Sequence, residues 1–226
     1  MSIRSQAERE EHLRKNGDGQ RLRPRSENGR VREHDSPFDR TKNRERVMEP
    51  HTPSPSRRNP ADELLARPSE KVKQMLEAGK SLREILTRLA TAGEVLAGPG
   101  SVVSILLIDQ EGLLRNGASP NLPVDYLCAI DRLRPDARVG TCAAAAATGS
   151  VVLTPDFYAD DKWAELRHLP LALGFAGAWS MPIKREDGKV VGTFGTYFRE
   201  KRTPSTEERS GVAALVEAAA LAIRAS

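Results

Sequence analysis

The sequence predicts an α+β domain, a central antiparallel sheet flanked by helices, behind a long disordered leader. Three observations predict it. Apolar residues are sparse and aperiodic over residues 1–60 and become dense and periodic beyond them. In that second part, strand-like runs are interspersed with stretches whose apolar residues recur every three or four positions. The turns between paired strands are short and glycine-bearing, which returns the chain antiparallel to itself.

Charge separates the two parts. The chain has 35 Lys and Arg against 31 Asp and Glu. Fifteen of the bases and ten of the acids lie in residues 1–60, so the basic excess belongs to the leader and the remainder is near neutral. Isolated Leu13, Leu22, Val31, Phe38 and Val47 sustain neither a helical nor a strand period. So little apolar surface cannot offset about 1–2 kcal/mol of ordering cost per residue. Residues 1–60 are therefore expected to be a disordered basic tail, ending in an extended Pro50–Pro55 spacer. Its cationic clusters, Arg21 to Arg32 and Arg40 to Arg46, could hold phosphates. Acids interleave them and only Phe38 offers stacking, so a solvated linker or partner-docking tail is expected and nucleic acid is not.

Residues 61–226 read as one domain. Ser69 is placed to cap a helix over Glu70–Ala78 carrying Val72, Met75 and Leu76 on one face. Ser81 with Glu84 gives a capping box for a second helix, on which Leu82, Ile85, Leu86, Leu89, Val95 and Leu96 are core-spaced. Gly98-Pro99-Gly100 ends it. Val102–Asp109 has the apolar density of a strand buried on both faces, and Gln110-Glu111-Gly112 turns it into a partner strand over Leu113–Ala118. Pro123 opens a short helix with Tyr126, Leu127 and Ile130 on one side. Ala143–Ala147 has high helix propensity and little bulk, so that helix can lie close to a sheet or leave room for a ligand. Val151–Leu153 is a short strand. Asp160 caps an amphipathic helix expected over Lys162–Leu173, and Gly174 ends it. Ala176–Ile183 and Val190–Phe198 are strands joined through Asp187-Gly188. Ser205 with Glu208 caps a last helix bearing Val212, Leu215, Val216, Ala219 and Ile223.

This order, with Ser104–Asp109 and Gly112, Gly140-x-Cys142, Thr148-Gly149, Asp160-x-x-Trp163, Trp179-Ser180-x-Pro182-Ile183 and Gly188-x-Val190-x-Gly192-Thr193-Phe194, resembles the GAF domain family. The resemblance covers about Ser69 to Ser226. It implies a GAF-like central antiparallel sheet flanked by helices, with a pocket between the sheet and the intervening helices. Family members hold cyclic nucleotides, tetrapyrroles, haem or small metabolites there, and the sequence does not name which, so the cofactor is left unknown. The pocket candidates are Thr141, Cys142, Asp156, Trp163, His168, Trp179, Met181, Phe194 and Thr196.

Catalytic constellations are not found. Some GAF-like modules are free methionine-R-sulfoxide reductases that use thiol chemistry in a similar Gly-x-Cys setting. That chemistry implies a nucleophilic cysteine farther along, in the region from Asp160 to Gly174, and no cysteine follows Cys142. Cys128 and Cys142 exclude a disulfide scaffold, and no Cys or His pair has zinc spacing. His168 could serve as a haem ligand but reads more simply as a surface histidine. Asp160 and Asp161 read as a cap and a solvated neighbour. No apolar run reaches the roughly 20 residues of a membrane span, and no signal-peptide core is present, so a cytoplasmic protein without membrane contact is expected.

The function expected is therefore a non-enzymatic sensor that binds an unidentified small molecule and signals through its terminal helices or a protein partner. Those helices could also pack against a second copy, giving a homodimer. The alternatives are the thiol-dependent reductase and a scaffold protein whose pocket is filled by its own side chains and whose tail docks a partner.

Overall fold

Five antiparallel strands in the order β2-β1-β5-β4-β3 make the single sheet of the computed structural model, which describes residues 59–226. The expectations for the leader lie outside the described residues. The strands are β1 (Val102–Ile108), β2 (Leu114–Ala118), β3 (Val152–Thr154), β4 (Gly177–Lys184) and β5 (Val190–Phe198). The long central pairs are β1 with β5 and β5 with β4, in a register that sets Ile105 opposite Phe194 and Trp179 opposite Thr196.

One face of the sheet carries the terminal helices α1 (Pro60–Ala66), α2 (Pro68–Glu77), α3 (Leu82–Ala97) and α7 (Thr206–Arg224). Side chains alternate along a strand, so Val103 and Ile105 of β1, Trp179 and Ile183 of β4 and Phe194 and Phe198 of β5 all point to this layer. They pack there with Ile85, Leu86 and Leu89 of α3 and Val212 and Leu215 of α7. Removing such side chains from water stabilises by about 1.5–3 kcal/mol each. Both expected capping boxes form: Ser81 Oγ accepts from the Glu84 N–H while Glu84 accepts from the Ser81 N–H, and Ser205 and Glu208 do the same.

The opposite face carries α4 (Val124–Ala129), α5 (Thr141–Thr148) and the connection from β3 to β4. Alanine does here what its bulk allows. Ala143, Ala144, Ala145 and Ala146 are buried, and α5 lies so close to the sheet that a Cβ on Gly195 of β5 would stand 2.6 Å from Cys142 Sγ. Glycine at 195 is therefore a packing requirement of this contact.

Several boundaries move from those expected, each for a local reason. The helix expected over Glu70–Ala78 is Pro68–Glu77, and a helix not expected, Pro60–Ala66, precedes it; Pro60 and Pro68 each occupy a helix N-terminus, where a missing N–H costs nothing. Ser69 lies inside α2 and does not cap it. The amphipathic helix expected over Lys162–Leu173 is instead one 3-10 turn, Asp161–Trp163, and the five-residue α6 (His168–Ala172). Pro170 explains the break: a proline ring clashes with a continuous helix through the preceding turn but fits near the start of a new one.

Candidate functional site

The site begins at Gly140, which ends the loop after α4 with φ 55° and donates its N–H to the Lys162 carbonyl at 2.7 Å. That bond brings the β3–β4 connection onto the N-terminus of α5. The first residue of the helix, Thr141, is buried between two partners. Its hydroxyl accepts from the Trp163 indole N–H at 2.9 Å and lies 3.1 Å from the Thr154 hydroxyl. Thr154 in turn donates to Asp160 Oδ2 at 2.8 Å. The Lys162 ammonium reaches both Asp160 oxygens at 2.8 Å, and the Lys162 N–H donates to the same carboxylate at 3.0 Å. Burial pushes the Asp160 pKa up, but the Lys162 and Thr154 donors together outweigh it and hold the carboxyl below its ordinary range.

Behind this network the sheet face is lined by small hydroxyls. The Ser104 and Ser119 hydroxyls lie 2.9 Å apart, and those of Tyr126 and Tyr197 meet at 3.0 Å. Ser180 of β4 and Thr193 of β5 are fully buried beside the Cys142 thiol, and neither hydroxyl meets a nitrogen or oxygen partner among the described residues, which leaves them the weakly hydrogen-bonding Cys142 sulfur. Burial raises the Cys142 pKa, and the neighbouring Ser180 and Thr193 hydroxyls only partly oppose this. The thiol is thus kept protonated at neutral pH, which suits neither a nucleophile nor a metal ligand. Cys128 is exposed.

Tyr126, Phe157, Trp163, Phe175 and Tyr197 fill the remaining space, all less than 5% exposed. Phe157 and Trp163 are the closest pair, ring centroids 4.6 Å apart.

The nine residues proposed from sequence do not come together. Thr141, Cys142 and Trp163 converge on the α5 side of the sheet. Trp179, Met181, Phe194 and Thr196 point through to the α3 and α7 layer, because each has the strand parity that faces the helices. On that side the Trp179 indole N–H and the Thr196 hydroxyl are buried without partners. His168 is exposed at the start of α6, and Asp156 sits at the rim of the connection, paired with Lys201 at 2.8 Å. Sequence reasoning missed Ser180, Thr193, Thr154, Tyr126 and Tyr197 as site residues. The available signal was strand parity: Ser180 and Thr193 alternate with the bulky Trp179, Met181 and Phe194.

Among the described residues no group of three or more metal-ligating side chains occurs, and no helix is long and apolar enough to cross a membrane.

Comparison with known proteins accords with this geometry. A family model described as the GAF domain matches residues 79–224. Over 154 residues the chain is 32% identical to the methyl sulfide methyltransferase-associated sensor of Methanosarcina acetivorans. That alignment covers 68% of the chain but spans only 15% of the relative. Among solved structures, the GAF domain of a phosphoenolpyruvate-protein phosphotransferase from Coxiella burnetii superposes with a TM-score of 0.57 at 17% identity, covering 73% of this chain and 92% of that one. Free methionine-R-sulfoxide reductase from Neisseria meningitidis, in complex with its substrate, superposes with a TM-score of 0.56 at 16% identity, covering 74% and 89%. At such identities these two structures share the fold with this chain.

Proposed function

The chain belongs to the GAF domain family, and from that premise we propose that residues 61–226 form a non-catalytic sensory domain that binds a small molecule on the α5 face of the sheet. The observation that carries the reading is the pair of buried hydroxyls on Ser180 and Thr193, which have no better partner than the Cys142 sulfur. A buried polar group without a partner costs about 1–3 kcal/mol, a cost that a guest with hydrogen-bonding groups would remove. The nearby Asp160 carboxylate and Lys162 ammonium are paired with each other, so the guest is read as polar and not strongly charged where it meets the floor. The Cys142 thiol and helix α5, which lie over these hydroxyls, and the aromatic residues beside them must move to admit it.

Output is assigned to α3 and α7, which pack on the reverse of the same strands. Their exposed surfaces serve a protein partner or a second copy of the chain. A relative named as a sensor supports the signalling role. The reductase reading has the shared fold of the Neisseria enzyme in its favour, but a buried, protonated Cys142 and an exposed Cys128 are poor material for thiol catalysis.

Native mass spectrometry of the full chain purified from its own host, with an absorption spectrum, tests the proposal. A stoichiometric non-covalent adduct, lost on Ser180→Val and Thr193→Val substitution, is the expected result. An adduct-free mass, together with no thermal shift from representative cyclic nucleotides, tetrapyrroles, haem or small sulfur metabolites, would refute it.

A further inference from the structure

Resting on the reading above, and concerning how that site is closed, we propose that residues 155–174 form a lid bolted shut by a one-way hydrogen-bond relay running from Trp163 through Thr141 and Thr154 to Asp160.

The direction of the relay follows from the chemistry of its ends. An ionised carboxylate only accepts, so Thr154 must give its hydroxyl proton to Asp160. With that proton spent, Thr154 Oγ1 can only accept from Thr141. Thr141 is then left to accept from the indole N–H of Trp163, a group that only donates. Every proton has one place to be. The loss of any member leaves a buried group unpaired.

The relay also has a spatial order that makes it a bolt. Its two ends, Trp163 and Asp160, lie in the connection between β3 and β4, whereas its middle members lie in the body, Thr141 on α5 and Thr154 at the end of β3. Lys162, also in the connection, neutralises Asp160, so the closed state buries no net charge there.

The rest of the connection is suited to move as a piece. Its regular structure is one 3-10 turn and five residues of α6. Tyr158, Ala159, Asp161, Glu165 and His168 are exposed, while Phe157 and Trp163 turn inward. Both of those rings belong to the connection, so their mutual packing at 4.6 Å travels with it. Opening exchanges the bolt's hydrogen bonds for bonds to water and withdraws the Phe157 and Trp163 rings from Tyr126, Ala178 and Tyr197. It uncovers the Tyr126 and Tyr197 rings beside Cys142, at the edge of the floor that α5 covers.

Hydrogen–deuterium exchange of the full chain without any ligand reads the bolt directly. Thr141→Val keeps the side-chain shape and removes the relay's middle. It is expected to speed exchange in peptides covering residues 157–167 by about tenfold while β1 and β5 keep their rates. Thr154→Ser retains the hydroxyl and is expected to exchange as the unaltered chain does. Unchanged rates in Thr141→Val, or an equal rise in lid and sheet, would overturn the proposal. Should that variant fail to fold, Trp163→Phe, which removes the N–H and keeps an aromatic ring, is read by the same criteria. Since no ligand is present, a silent relay refutes the bolt and leaves the sensing role standing, and a ligand-free protein with a working relay does the reverse.

Discussion

The Arg202 guanidinium grips both oxygens of Glu208, each at 2.7 Å, while donating to the last carbonyl of α3, Ala97, at 3.0 Å. It also lies 3.6 Å from the centre of the Phe198 ring. One side chain thus joins the end of β5, the C-terminus of α3 and the N-terminus of α7. Arg202→Met should destabilise the domain by about 3 kcal/mol, the low end for breaking a buried pair, because Glu208 is left buried without its cation. Urea unfolding followed by circular dichroism checks this. A loss below 1 kcal/mol would mean that water replaces the guanidinium without cost.

The same pair gives a pH dependence. Burial raises the Glu208 pKa, but the two Arg202 bonds and the Ser205 N–H outweigh it, so the folded carboxyl titrates below its unfolded range. Its contribution is therefore complete above the ordinary glutamate value of about 4.3 and is lost as pH falls through the depressed one. Melting temperatures of the parent chain and Glu208→Gln, measured from pH 7 to pH 3, should differ most at neutral pH and converge in acid. A constant gap would exclude this linkage.

Gly195→Ala should cost about 1–3 kcal/mol, since the added methyl would meet Cys142 Sγ at 2.6 Å. Cys142→Ala removes the obstacle, so the double variant should recover most of the loss, a coupling visible in a double-mutant cycle. Additive losses would show that β5, and not the thiol, resists the methyl.

Thiol titration separates the two cysteines. At pH 7 in native buffer one equivalent, Cys128, should react with a thiol reagent within minutes, and the second only in denaturant. Cys128→Ser should abolish the fast phase, and the unaltered protein should show no turnover of free methionine sulfoxide. Fast labelling of Cys142 would contradict its burial, and turnover would revive the reductase reading.

The order of the fold was legible because its punctuation is local. Ser81 with Glu84 and Ser205 with Glu208 announce their helices, and Asp187-Gly188 announces the hairpin between β4 and β5. The site was legible only by half. Strands buried on both faces give no polar side to orient them, so Trp179 and Phe194 looked like pocket walls when they pack under α3 and α7. The segment after Asp160 kept its helical spacing in sequence, yet Pro170 and the pull of Trp163 toward Thr141 break it in space. Neither tertiary effect is written in residue spacing.

Consecutive residues of β5 face in opposite directions and neither has slack. A Cβ on Gly93 of α3 would come within 2.7 Å of the Phe194 ring, and the next residue, Gly195, abuts Cys142 of α5. The sheet at this point behaves as a taut diaphragm one strand thick. Pressure on its front from an arriving molecule has a single peptide unit to cross before it reaches the helix behind, and enlarging either neighbour by one carbon would be felt on both sides at once.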